Sequence, residues 1–149
     1  MTEILFYHMQ NASLEQVLPQ LLEASLKRDW RAVVKVGEPA RLDELSTQLW
    51  TYKPASFLPH GTQDDGPADA QPVYLTTLDE NPNTAQVLFL VHGAAPAALD
   101  GYIRCVLMFD GRDDAALNAA RAQWKSLKAQ GHDATYWQQS DEGRWEKKA

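Results

Sequence analysis

The runs Gln86-Val87-Leu88-Phe89-Leu90-Val91-His92 and Ile103-Arg104-Cys105-Val106-Leu107-Met108-Phe109 decide the fold. Both have strand length and are apolar almost throughout, without the polar alternation of a sheet that keeps one face in water. They predict central strands buried on both sides. Working outward, Glu3–His8 and Arg31–Val36 read as two further strands, with Pro72–Leu78 and Ala134–Gln138 as additional candidates. Helical patterns lie between them. Ser13 with Gln16 has capping-box spacing, and Leu14, Val17, Leu18, Leu21, Leu22 and Leu26 give the following helix its buried face. Pro19 falls inside that helix and should bend or weaken it. Gly37-Glu38-Pro39 is a turn with proline at a first helical position, ahead of a helix marked by Leu42, Leu45 and Leu49 and ending near Trp50. Asp110-Gly111-Arg112-Asp113-Asp114 supplies the turn and N-cap of a long last helix that Gly131 closes. The alternation predicts an α/β protein, a three-layer α/β/α sandwich on a mostly parallel or mixed central sheet.

The 149 residues fit one domain, 1–149, which at this size buries roughly 70% of its unfolded surface. Within it, 61–72 reads as a flexible acidic loop with three Asp and no Lys or Arg, and 139–149 as a charged C-terminal tail holding Trp145. A pI near 5.1 argues against coating nucleic acid by bulk charge. The single cysteine, Cys105, lies in an apolar run, which suits a buried thiol and a reducing cytoplasm. Met1-Thr2-Glu3-Ile4 lacks a signal-peptide pattern, and no apolar run is long enough to predict a membrane span.

Motifs for catalysis are sparse. There is no G-x-G-x-x-G or G-x-x-x-x-G-K-[ST], and the turn His8-Met9-Gln10-Asn11-Ala12 has no glycine with which to cradle a phosphate. His92-Gly93 after a buried strand reads as a strand-ending turn or as the oxyanion His-Gly of a hydrolase, but no G-x-S-x-G accompanies it. A Cys105–His92 dyad is the corresponding nucleophile reading, although apolar surroundings raise a thiol pKa and make it inert. The histidines His8, His60, His92 and His132 are scattered, and Asp110, Asp113 and Asp114 do not follow an EF-hand order. Helix capping explains those acids, and no metal or cofactor is expected.

The strongest functional signal is Ala119-Ala120-Arg121-Ala122-Gln123-Trp124-Lys125-Ser126-Leu127-Lys128. At about 100° per residue it sets Arg121, Lys125 and Lys128 in one stripe, with Trp124 between that stripe and the apolar side of Leu117, Ala120 and Leu127. From Ala115 to His132 there are three basic residues and no acidic one, in a chain of net charge −6. Such a ridge suits an anionic, partly apolar partner. Together with Tyr136, Trp137 and Trp145 it also fits two other readings: a solvated basic face over core indoles, or a surface that stacks single-stranded bases. A second aromatic group, Leu49-Trp50-Thr51-Tyr52 with Ser56-Phe57-Leu58-Pro59-His60-Gly61, reads either as a partner surface or as a cap on the core.

Phe6-Tyr7-His8, Leu49-Trp50, Ser56-Phe57-Leu58-Pro59-His60-Gly61, Gln71-Pro72-Val73, Phe109-Asp110-Gly111, Ala120-Arg121-Ala122-Gln123-Trp124-Lys125 and Gly131, in that order, resemble the chi subunit family of bacterial DNA polymerase III. The resemblance covers nearly the whole chain. It implies a non-catalytic accessory subunit of the replicative polymerase, associated with the clamp loader, on a fold similar to nucleotide-binding domains without a working nucleotide site. It implies a grip on the acidic, phenylalanine-ended C-terminal tail of the single-stranded-DNA-binding protein through Arg121, Trp124 and Lys125; helical geometry adds Lys128. It also implies a contact of Trp50 and Phe57 with the psi subunit or another clamp-loader protein. The rivals are direct single-stranded DNA binding by the same patch, and a small α/β hydrolase using Cys105 or His92.

Overall fold

The computed structural model describes residues 2–10, 14–51, 61–62, 69, 71–78, 80–94, 99, 101–140 and 144–148. In chain order they form β1 (Glu3–Met9), α1 (Leu14–Lys27), β2 (Ala32–Val36), α2 (Leu42–Thr51), β3 (Val73–Thr76), β4 (Val87–Val91), β5 (Arg104–Asp110), α3 (Asp114–Ala129), β6 (Asp133–Gln139) and β7 (Trp145–Lys147). A 3-10 turn, Pro39–Arg41, leads into α2 with Pro39 in its first positions. The strands make one sheet in the order β3-β2-β4-β5-β1-β6-β7. β1 to β6 run parallel, and β7 is antiparallel to β6.

The layers follow from the connections. The path from β1 to β2 runs one way along the sheet and the path from β5 to β6 the other. Right-handed crossovers therefore put α1 and α3 on opposite faces. Two cores result. Met9, Val34 and Val106 meet Leu18, Leu22 and Leu45 of α1 and α2 on one face. Ile4, Phe6 and Leu107 meet Ala120 and Leu127 of α3 on the other. Every residue of β4 is buried, because helices or loops cover it on both sides. This is the three-layer α/β arrangement that the unbroken apolar runs predicted.

Local differences have local causes. Pro19 does lie inside α1, yet the helix continues past it, because Val17, Leu18 and Leu22 bury their side chains beside it. Gly61 is not simply loop: it makes a parallel bridge with Tyr74, its N–H donating to Val73 O at 3.0 Å. The stretch read as a charged tail is also structured. Gln139 is the buried last residue of β6, and Trp145–Lys147 forms β7 against it. The capping reading at Ser13 and most of the acidic loop (63–68 and 70) lie outside the described residues. No described helix is long and apolar enough to cross a membrane.

Candidate functional site

α3 begins where the sequence placed it. The Asp113 carboxylate accepts from the N–H groups of Ala115 at 3.0 Å and Ala116 at 3.3 Å, satisfying donors that an uncapped helix leaves open. Behind it Asp110 holds Arg112 at 2.9 Å, and that hydrogen-bonded guanidinium keeps the Asp110 carboxyl below the usual carboxylate range. Ala120 and Leu127 anchor the helix in the core, and Leu117 and Trp124 pack partly buried beside them.

The predicted stripe is present. Arg121, Lys125 and Lys128 are exposed and Trp124 is partly buried. The Trp124 ring stands edge-on to Phe6 (centroids 5.3 Å) and Tyr136 (5.8 Å), and Lys128 Nζ lies 5.1 Å from its centroid. The ridge thus has a fixed indole at its border, with a cation already placed over it. Beyond it on the same sheet face, Tyr136 shares a 2.7 Å hydrogen bond with Nδ1 of the buried His8. Burial pushes the His8 pKa down; Asp110 opposes this and Arg121 adds to it. Burial raises the Tyr136 phenol, against the pull of Arg121. His8 was not assigned a role from sequence; the period of two that sets Phe6 and His8 on one face of β1 was the available signal.

The larger constellation divides. Tyr136 faces α3, whereas Trp137 is paired with Tyr7 and so points to the other face of the sheet. Trp145 stacks on Tyr7 there, with centroids 4.7 Å apart. Trp50 lies in the last turn of α2, its side chain outside what is described, and Phe57 falls outside the described residues.

A cavity of about 550 Å³ opens at the carboxyl ends of β1, β4 and β5, on the other flank of α3. This is the point where the chain reverses direction along the sheet, the usual ligand crevice of such folds. Arg121, Trp124, Lys125 and Lys128 do not line it. Its wall carries Glu38, Asp110 and Asp113 against Arg41 and Arg112, two guanidiniums already engaged with Glu38 and Asp110. The Asp113 carboxylate sits on the helix N–H groups that a phosphate would need.

The Cys105–His92 dyad is corrected by the register. Cys105 pairs with Leu88, four residues before His92, so the two lie roughly 13 Å apart along the strand direction. Burial also pushes the Cys105 thiol up to about 12, which removes the thiolate that a nucleophile requires.

The family model described as DNA polymerase III chi subunit, HolC, matches residues 1–135. A curated relative from Rickettsia prowazekii (strain Madrid E), named Probable DNA polymerase III subunit chi, is 30% identical over 91 residues, 61% of this chain. The match spans about half of that relative, 55% of its length.

Proposed function

The chain belongs to the DNA polymerase III chi subunit family, and from that premise we propose that it acts in DNA replication as a non-catalytic accessory subunit of the polymerase and its clamp loader. In this role it grips the acidic, phenylalanine-ended tail of the single-stranded-DNA-binding protein. The observation that carries the reading is the exposed row Arg121, Lys125 and Lys128 beside the partly buried Trp124. Arg121 takes a tail carboxylate with two parallel N–H bonds. Lys125 adds a point charge, and the indole gives the terminal phenyl ring an apolar wall. A flexible peptide loses entropy on binding, so affinity on the order of micromolar is expected, weakening with salt. Trp50 and Phe57 are the matching candidates for a contact with the psi subunit or another clamp-loader protein.

Titration with a synthetic acidic peptide ending in Phe tests the site. Arg121→Glu and Lys125→Glu should each weaken binding at least about tenfold without altering circular dichroism. Deleting the terminal Phe from the peptide should have a comparable effect. Unchanged affinity in both variants would refute the assignment.

A further inference from the structure

We propose that the face of β6 and β7 turned away from α3 is a second binding surface, which takes single-stranded nucleic acid by stacking bases on Trp137 and Trp145, with Tyr7 of β1 backing the Trp145 ring. Strand register assembles it. Tyr7, Trp137 and Lys147 form one row, and Gln139 with Trp145 the next, so their side chains share one side of the pleat. All three aromatics are partly exposed. Tyr7 and Trp145 are near-parallel, with 23° between their planes. The Trp137 indole N–H donates to Thr135 Oγ1 at 3.0 Å, so that ring is held by an internal partner and offers its π-surface rather than a polar group. α1 packs towards β2 and β5 and α2 towards β3. Among the described residues neither helix has its main packing on β6 or β7, although Tyr7 and Trp145 rest partly buried at the edge of the core that α1 covers.

Charge selects the occupant. Lys147 is exposed in the aromatic row, with Arg144 and Lys148 at the ends of β7. Arg104, Glu3 and Arg28 all lie near enough to the Tyr7 hydroxyl for their charge to act on it, two cations against one carboxylate. Of the neighbouring acids, Glu3 pairs with Arg104 at 3.3 Å, Asp133 lies with Glu3 at the far end of the strands, and Glu146 faces the other side through its pairing with Gln138; Asp141 and Glu142, between β6 and β7 in sequence, lie outside the described residues. Flat apolar surfaces interleaved with cations match a polyanion whose bases are unpaired. A duplex hides its base faces, and an aliphatic protein surface has no use for the cations. Trp137, Trp145 and Lys147 lie beyond the 1–135 segment matched by the family model, and the surface is independent of the tail-binding ridge.

Fluorescence anisotropy with a fluorescein-labelled oligothymidylate of about 20 nucleotides in about 50 mM salt tests this. The expected result is saturable binding that falls steeply with added salt and exceeds binding to a duplex of the same length. Trp145→Ala should weaken it about tenfold or more. Lys147→Glu, at an exposed position that leaves the fold alone, should weaken it as well. Lys125→Glu should keep oligonucleotide binding while losing the acidic peptide, which separates the two surfaces. No binding by the unaltered protein, equal binding of duplex, or equal binding by Trp145→Ala and Lys147→Glu overturns the proposal. Loss of oligonucleotide binding in Lys125→Glu also overturns it, by moving the contact to α3.

Discussion

At the scale of single residues, the neighbourhood of His8 sets the shape of the ridge's floor. A Cβ added at Gly111 would run into the His8 imidazole. That ring cannot simply step aside, because its other nitrogen is tied to the Tyr136 hydroxyl. Gly111→Ala should therefore cost about 1–3 kcal/mol as overpacking, seen as a fall in thermal midpoint of about 3–10 °C; an unchanged midpoint would show that the ring has room to move. His8 also makes a pH prediction. Burial holds its folded pKa below the ordinary 6.5, with Asp110 opposing and Arg121 assisting. As pH falls through 6.5 the unfolded chain takes up a proton before the folded one. The His8 contribution is thus fully present above that value and is lost progressively below it. Urea midpoints at about pH 7.5 and about pH 5.5 should differ more in the unaltered protein than in His8→Asn. The same slope in both would mean that other groups dominate.

At the scale of elements, local patterning made most of the fold legible. β4 and β5 announced themselves as buried strands, and α3 carried its cap, its apolar side and its basic stripe within one periodic segment. β7 was hidden because Arg144-Trp145-Glu146-Lys147-Lys148 is too charged to read as a strand. It exists through pairing with β6 and through Trp145 lying on Tyr7, contacts that depend on residues distant in sequence. The split between Tyr136 and Trp137 was implicit in strand alternation, but only the parallel register says which face each takes. The His8–Tyr136 bond joins β1 to β6, and no local spacing reveals it. β5 yields a test of its own. Cys105 is 1% exposed and its thiol is pushed up to about 12. Labelling by a water-soluble disulfide reagent should be very slow in the folded protein and immediate in denaturant. Fast native labelling would mean that β5 opens readily, and would reopen the question of a reactive thiol.

At the scale of the whole molecule, the sheet is a slab with unequal ends. Its middle, β4-β5-β1, is sealed between α1 and α2 on one side and α3 on the other. One end finishes in the three-residue β7, whose residues are partly or fully exposed. The basic ridge and the aromatic sheet face both belong to that thinner end, on opposite sides of β6. The two proposed binding surfaces there are therefore mounted on a rigid centre but bordered by a weakly held strand. Local opening free energies track buried contacts and neighbouring strands, which orders the amides. Hydrogen exchange should be slowest in β4, β5 and β1 and fastest in β7, with β6 between because α3 covers only one of its faces. Saturating acidic peptide should slow exchange across α3 and leave β7 unchanged, whereas oligonucleotide should slow β7 and β6 first. Equal protection of β7 and β5 in the free protein would contradict the unequal slab. Slowing of β7 by the peptide alone would place the tail on the sheet face and remove it from Arg121 and Lys125.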